Sequence, residues 1–317
     1  MGKGQDKRHF IFEKYSNQLK SLKELNLLDI ELKFDPTYIC PICLCQFSDA
    51  DLDTSKENFL TLEDAPPKSL GGTSNTLTCK KCNNTCGHEI DFHLVEKLNE
   101  LDIHSFQPKS GSKAIFTHNG IKVQGSVTVE DNGTITVSHP QRVNNPKLLD
   151  EYVKTTVAGD EISLKFPASK VEIKKFEVAL LKTAYMLAFE QYGYPLILNK
   201  AFDIVRAQIQ NPAEEIYPSG FWTRQHSFNE LNTGVHLITT VGFEGFQAIF
   251  LLKTKSKSTG FGVYLPLSFR STTGVIEKLK TISAGFEMSF ESYKNTDYFN
   301  DKTNQKMCVD FMNKHNS

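Results

Sequence analysis

This chain of 317 residues has almost no net charge, no long apolar run and few cysteines outside one short region. Its 36 basic and 37 acidic side chains leave a formal charge of −1, so any contact with nucleic acid has to come from local patches. The longest apolar stretches, such as "FQAIFLL" at 246–252, are far shorter than a membrane span. The first ten residues lack the apolar core of a signal peptide. We therefore expect a cytoplasmic protein with no membrane partner.

The cysteines are clustered, and their spacing predicts a metal site. Six of the seven lie between Cys40 and Cys86, where a disulfide framework is not expected in a cytoplasmic protein. Four of them form two C-x2-C pairs: Cys40 with Cys43 in "CPIC", and Cys79 with Cys82 in "CKKC". Two such pairs complete a tetrahedral four-thiolate site with no open position, so we predict a structural Zn2+. The spare thiols, Cys45 and Cys86, are predicted to be packed, with Cys86 the alternative ligand.

Three segments are predicted along the chain, in an α+β fold. Residues 1–35 form a helical lead-in, because their leucines recur with helical spacing. Residues 36–104 hold the cysteine module. A Gly/Pro/Ser-containing linker at 105–113 then opens a larger α+β domain, 105–317, which would recognise the target or a protein partner.

Within residues 105–317, helices are predicted at 171–192 and 200–211, the first of them buried. Strands are predicted on both sides of an Asp131-Asn132-Gly133 turn, and at 235–241, 248–253 and 261–267. Three lysines, Lys253, Lys255 and Lys257, alternate as they would along one strand face, either meeting a nucleic-acid backbone or lining a solvated edge. Trp222 is expected in the core or at an interface.

A long insertion separates the two cysteine pairs, and its pattern predicts a hairpin followed by a helix. "FLTLED" and "NTLTC" have strand character, and "APPKSLGG" between them forms a tight turn. The second pair then leads into a helix in which Asn83 shares the inner face of Ile90 and Leu94. An outer stripe of this helix is formed by Asn84, His88 and Asp91.

This order of elements resembles the HNH endonucleases, whose core is the ββα-metal fold. It is most similar to the subgroup that has a zinc-bound frame, an E-H-x-x-P-x-S-L-G-G loop and a following C-x-x-C-N-x-x-x-G-x-x-x-D. The chain has "LEDAPPKSLGG" and "CKKCNNTCGHEID" at these places, and the resemblance covers roughly residues 38–98. It implies hydrolysis of phosphodiester bonds, in DNA, with one Mg2+ or Mn2+, and a bacterial or phage-conflict setting. The alternative is a catalytically inactive zinc-stabilised nucleic-acid-binding or adaptor protein.

Applied residue by residue, the resemblance implies that Glu63 and Asn83 are the ligands of the catalytic cation. Asp64 stands where the family has its general-base histidine, and an aspartate is a weak base at neutral pH. Three interpretations remain: Asp64 is a slower base, it is a further metal ligand with His88 or His93 as the base, or catalysis is lost. The candidate catalytic residues are Asp64, Glu63, Asn83 and His88. At the turn, Lys68 and Ser69 are candidates for phosphate contact, or simply solvated.

Overall fold

The structure is a computed structural model that describes residues 3–267, 272–281, 290–293 and 295–314. Helices and strands are mixed along the chain, and antiparallel strand pairs occur in each of its four described sheets. The prediction of a mixed α+β fold is confirmed at this level.

The helices in the described ranges are α1 (Lys3–Glu24), α2 (Lys80–Cys86), α3 (Phe92–His104), α4 (Pro146–Thr155), α5 (Ile173–Tyr192), α6 (Tyr194–Ile197), α7 (Asp203–Gln210), α8 (Thr272–Thr281) and α9 (Lys302–Lys314). The strands are β1 (Tyr38–Ile39), β2 (Gln46–Phe47), β3 (Leu60–Ala65), β4 (Thr73–Cys79), β5 (Gly111–His118), β6 (Ile121–Val129), β7 (Ile135–Ser138), β8 (Ser163–Lys165), β9 (Trp222–Gln225), β10 (Gly234–Ile238), β11 (Gly245–Lys253), β12 (Ser258–Pro266) and β13 (Phe290–Ser292).

The chain divides into two compact units that are not continuous in sequence. The first unit contains Met1–Leu94, Glu172–Leu252 and Thr259–Ser317, and the second contains Val95–Val171 and Lys253–Ser258. The predicted segment 1–35 lies within the first unit, whereas the predicted segments 36–104 and 105–317 are each divided between the two units.

The first unit is organised around α5, which is buried along most of its length, as predicted. Large aromatic side chains from distant segments meet at its C-terminal part. Tyr15 of α1 packs edge-on against Tyr38 of β1, and lies 4.7 Å, centroid to centroid, from Phe189 of α5. The hydroxyl of Tyr194 accepts a 2.9 Å hydrogen bond from the backbone of Ile39. This packing ties the predicted lead-in helix and the first cysteine pair to α5.

The first unit also contains a five-stranded sheet with the order β13-β10-β11-β12-β9. The predicted strands at 235–241, 248–253 and 261–267 correspond to β10, β11 and β12, and the predicted helix at 200–211 corresponds to α7 and the 3-10 turn before it. Trp222 begins β9, half-buried, with its ring 5.6 Å from that of Phe176. Trp222 therefore lies at the edge of the core, not within it, and the structure does not test the alternative of an interface.

The prediction for the three alternating lysines is wrong. β11 ends at Lys253, and the chain turns so that Thr254 N donates to Lys257 O at 3.0 Å. Because of this turn, the three lysines do not lie along one face of a strand. The turn lies in the second unit, where Lys257 Nζ is 3.2 Å from Asp102 Oδ1.

The second unit has a four-stranded sheet in the order β7-β6-β5-β8. The predicted turn joins β6 to β7: Gly133 has a φ of 83°, which favours glycine, and its N–H donates to Glu130 O at 2.9 Å. The predicted linker is shorter than expected, because β5 already begins at Gly111. The core of the unit includes Ile103, Ala114, Phe116, Val123, Val127, Val129, Leu149 and Tyr152.

Candidate metal site and the adjoining lysine cluster

The two cysteine pairs come together in the first unit: one lies between β1 and β2, and the other spans the end of β4 and the first turn of α2. The Sγ atoms of Cys40, Cys43, Cys79 and Cys82 all lie within 4.8 Å of one another. Cys43 Sγ and Cys79 Sγ are 3.9 Å apart. A tetrahedral zinc ion with Zn–S bonds of about 2.3 Å requires sulfur–sulfur separations of about 3.8 Å. The four thiols therefore lie close enough to hold a metal ion, and their chemistry fits zinc.

The backbone around the thiols is shaped for this role. The chain reverses after the first pair, with Leu44 at a φ of 57° and Cys40 N donating to Cys45 O at 2.9 Å. Backbone N–H groups also point at sulfur: Cys79 N is 3.5 Å from Cys40 Sγ, and Cys82 N is 3.5 Å from Cys79 Sγ. Donors directed at a sulfur favour its thiolate form, which is the form that binds metal.

Two side chains that sequence reasoning missed anchor the first pair to the helices. Tyr185 of α5 donates its hydroxyl to Pro41 O at 2.7 Å, and Gln210 of α7 donates its amide to Ile42 O at 2.8 Å. No local signal in the sequence marks these two contacts, because their partners lie far along the chain. They hold the backbone carbonyls of the two residues between Cys40 and Cys43.

The spare thiols differ in their surroundings. Cys45 is exposed, so the prediction that it is packed is wrong, because it follows the chain reversal at Leu44 on the outside of the loop's sulfur cluster. Cys86 is buried outside the four-cysteine cluster. Burial raises the pKa of Cys86 to about 12, so it stays a protonated thiol at neutral pH. Cys86 is therefore a packed thiol in this structure, as predicted.

These environments predict a simple labelling pattern. In the native, metal-loaded protein at pH 8, we expect one thiol, Cys45, to react with a disulfide reagent ahead of the others, because its sulfur is exposed and the other sulfurs are buried or held together. Partial burial and the neighbouring Cys43 raise the pKa of Cys45, so its rate should increase with pH as the thiolate forms. All seven should react after unfolding with a chelator present. Colorimetric thiol counting, with a Cys45→Ser variant as the matched control, checks this. Rapid reaction of two or more thiols in the native protein would contradict it.

The predicted hairpin and helix are present. β3 pairs antiparallel with β4, and the register shifts between Glu63 and Asp64, so that Glu63 lies opposite Thr76 and Asp64 opposite Ser74. Gly72 closes the turn: a Cβ there would lie 1.5 Å from Pro66 O, so no other residue fits without a backbone shift. Two residues at the tip, Lys68 and Ser69, are exposed.

Glu63 and Asn83 are adjacent, as the resemblance implies. The cation beside Glu63 is a lysine side chain of the protein itself. Asn83 Nδ2 donates to Glu63 Oε2 at 3.0 Å, and Thr78 Oγ1 donates to the same oxygen at 2.8 Å. The other oxygen, Glu63 Oε1, lies 2.6 Å from Nζ of Lys182 in α5. Both side chains of this ion pair are only 3% exposed.

Lys182 also contacts Asp91, so one ammonium faces two carboxylates. Lys182 Nζ is 2.7 Å from Asp91 Oδ2. Burial by itself lowers the pKa of Lys182, but the nearby Glu63 and Asp91 carboxylates outweigh it, and the pKa is raised above its ordinary value. Burial raises the pKa of Asp91, and the negative charge of Glu63 raises it further against the effect of Lys182. The second oxygen of Asp91, Oδ1, is buried without a hydrogen-bond partner.

The prediction that Asp91 lies on an outer stripe is wrong, and the helix geometry explains why. Residues Gly87–Asp91 form one turn of π-helix between α2 and α3, in which Phe92 N bonds to Gly87 O. The wider turn rotates the later residues away from the α-helical phase. Asp91 consequently faces α5, whereas Asn84 and His88 are exposed.

The remaining candidates lie around this cluster without joining it directly. Asp64 is half-buried, accepts a hydrogen bond from Ser74 Oγ, and is near enough to Asp91 to raise the pKa of that carboxyl. His93 is buried, and its Nδ1 accepts from Glu172 N at 3.1 Å, just before α5 begins. This hydrogen bond engages one of its two ring nitrogens.

The arrangement does not fit Mg2+ or Mn2+ between Glu63 and Asn83. Both oxygens of Glu63 are engaged, and Asn83 turns its amide nitrogen, not its oxygen, toward Glu63. A divalent ion there would also lie against the Lys182 ammonium, and like charges repel strongly in a buried site. Lys182 could have been suspected from sequence, because a lysine within the apolar run "VALLKTAYMLAF" has to be paired if it is buried.

Among the described residues, none of the helices combines the length and the apolar character that a bilayer crossing requires. Comparison of the chain with protein-family models, with curated proteins and with solved structures finds no match.

Proposed function

We propose that this chain is a zinc-stabilised binding protein on an HNH-like ββα unit, in which a buried lysine takes the place of the catalytic cation. In this proposal Zn2+ on Cys40, Cys43, Cys79 and Cys82 is structural, phosphodiester hydrolysis is lost, and the chain binds nucleic acid or acts as an adaptor. The observation that carries the proposal is the 2.6 Å contact of Lys182 Nζ with Glu63 Oε1.

The chemistry of the ammonium supports this choice. Metal-assisted hydrolysis needs a cation that coordinates the scissile phosphate and the leaving oxygen. A lysine ammonium neutralises Glu63 but has no coordination positions to offer, and this one is 3% exposed, beyond the reach of a nucleic-acid backbone. Asp64 in the histidine position also favours the loss of hydrolysis, because a carboxylate is a weak base at neutral pH.

A metal-dependent HNH-type endonuclease acting on DNA is the second candidate, and one observation favours it. Glu63 and Asp91 bring two negative charges to one ammonium, and Asp91 Oδ1 is buried without a partner. A further cation or proton would balance the cluster. This candidate requires the Lys182 ammonium to leave Glu63, so that Glu63 and Asn83 are free to hold Mg2+ or Mn2+, with Asp64 as the base.

Cleavage assays separate the two candidates. We expect the wild-type protein to leave supercoiled plasmid, single-stranded DNA and RNA intact with Mg2+ or Mn2+. Metal-dependent cutting that Glu63→Gln abolishes would contradict the proposal and establish the endonuclease. The Glu63→Gln change is preferred to Glu63→Ala because it keeps the volume beside Lys182. Cutting by Asp64→His but not by wild type would mean that only the base was lost, and would also contradict the proposal.

Binding measurements then test the nucleic-acid branch. Gel-shift titrations with the same nucleic acids should show binding that is unchanged by Glu63→Gln and by omitting Mg2+. Omission is the correct control, because EDTA also competes for the structural zinc. If no nucleic acid binds, nucleic-acid binding is excluded and the adaptor role remains.

A further inference from the structure

A second feature of the first unit is a cavity of about 540 Å³ on one face of the five-stranded sheet. Its size is within the range of small-molecule sites. It lies between β9, β10, β11 and β12, below the loop that joins β9 to β10, with Leu279 of α8 at one side. None of the zinc or lysine-cluster residues lines it.

Two side chains of the cavity lie over glycines of the sheet. A Cβ on Gly262 would lie 2.5 Å from Gln247 Nε2 and 3.0 Å from Phe228 Cε2, and a Cβ on Gly260 would lie 2.4 Å from Phe228 Cβ. The glycines therefore let the Phe228 ring and the Gln247 amide lie close to the sheet. Apolar walls are completed by Phe221, Tyr264 and Leu231.

Gln247 is the distinctive polar group of this cavity. It is 8% exposed and lines the cavity, yet its side-chain amide has no hydrogen-bond partner among the described residues. The amide is not one of the fully buried polar atoms that lack a partner, so it is open to the cavity and available to a ligand. One carboxamide offers a donor and an acceptor side by side, which is the complement of a nucleobase edge.

The charges of the lining residues further restrict the chemical class of the ligand. Within the described ranges, no Asp, Glu, Lys or Arg lines the cavity, and the imidazole of His236 is already 2.8 Å from Asn232 O. Lys280 lies against Gly220 beside the cavity, but its Nζ is paired with Glu277 Oε1 at 2.7 Å. No described lining residue therefore offers a cation to a phosphate.

Of the three amides in the lining, Gln225 and Asn232 each already accept a hydrogen bond from a nearby residue, which leaves Gln247 for a ligand. The flat apolar surfaces, this amide and the uncharged lining together favour a neutral planar heterocycle over a sugar, an anion or an acyl chain.

We propose that this cavity binds a nucleobase, as the free base or a nucleoside, with the Gln247 amide pairing to the base edge and Phe228 and Tyr264 against its faces. This inference is independent of the proposed function, because no residue of the Lys182 cluster or of the zinc site takes part.

The test is a titration of the full chain with adenosine, guanosine, cytidine, uridine and AMP by isothermal calorimetry. Trp222, the only tryptophan, lines the cavity, so its fluorescence gives a second readout. We expect at least one nucleoside to bind with a Kd below about 1 mM. Gln247→Leu should weaken this binding about tenfold or more, since it removes the hydrogen bonds but keeps the bulk. Gln124→Leu, an exposed glutamine of the second unit, should leave it unchanged.

Three outcomes overturn the proposal. They are no nucleoside binding, equal binding by Gln247→Leu, and binding of AMP about tenfold or more tighter than adenosine, which would require a cation in the site. If Gln247→Leu does not fold, Leu231→Asp decides instead. Leu231 is 88% exposed at the cavity, so its replacement spares the fold, and a carboxylate there should weaken binding severalfold. Unchanged binding by Leu231→Asp would equally overturn the proposal.

Discussion

Replacing Lys182 by methionine is expected to destabilise the first unit by about 3–5 kcal/mol, the range typical for removing one partner of a buried ion pair. The change leaves Glu63 and Asp91 facing each other without a cation, in surroundings where Lys182 and Glu63 are each 3% exposed. Urea unfolding followed by the fluorescence of Trp222 measures the loss, because that single tryptophan lies in the same unit.

The matched control is Lys174→Met on the same helix. Lys174 Nζ lies 3.6 Å from Glu215, whose side chain is 93% exposed, so we expect a change of at most about 1 kcal/mol. A neutral triple variant, Glu63→Gln with Asp91→Asn and Lys182→Met, should recover most of the lost stability, because buried ion clusters often gain little over neutral packing. Equal effects of Lys182→Met and Lys174→Met would show that the Lys182 ammonium does not neutralise the cluster.

Removal of the metal is expected to have an even larger effect. The purified chain should contain one zinc ion, and its loss should unfold the hairpin region, because structural zinc sites contribute on the order of 10 kcal/mol of apparent binding free energy in small zinc modules. Elemental analysis of the protein and thermal unfolding with and without a strong chelator measure this. The expected result is a single, strongly metal-dependent transition in the first unit.

Two serine variants make the zinc prediction specific. Cys79→Ser removes one of the four clustered sulfurs and should abolish stoichiometric zinc. Cys45→Ser, close along the chain but exposed and outside the cluster, should keep one zinc and change stability by no more than about 0.5 kcal/mol. A metal-free native protein, or loss of zinc from Cys45→Ser, would show that these cysteines do not form the site.

Local signals in the sequence were enough to predict the parts of the site that are close along the chain. The two C-x2-C pairs define a four-sulfur cluster by their spacing, and the Pro-Pro and Gly-Gly residues of the turn define the hairpin of β3 and β4. Runs of alternating apolar and polar residues on both sides of Gly133 likewise predicted β6 and β7. Each of these features depends on residues within one turn, one strand or one metal-binding pair.

The errors arose where a regular pattern was interrupted. The alternation of Lys253, Lys255 and Lys257 indicated a strand, but a turn begins after Lys253. The helical phase assigned Asp91 to the outside, but the π-helical turn at Gly87–Asp91 rotated it toward α5. Periodicity assumes a constant geometry, and a single irregular turn changes which side chains face the core.

The sequence by itself determined that four cysteines can share a metal ion, and the pairing of Glu63 in the hairpin with Asn83 in the helix was expected from the resemblance. Only the tertiary structure decided which cation meets them, since Lys182 approaches Asp91 from 91 residues further along the chain. The physical reason is that a buried carboxylate requires a counter-charge but does not specify its source. A metal ion and a lysine ammonium both satisfy that requirement, and the packing of α5 against the hairpin supplies the lysine.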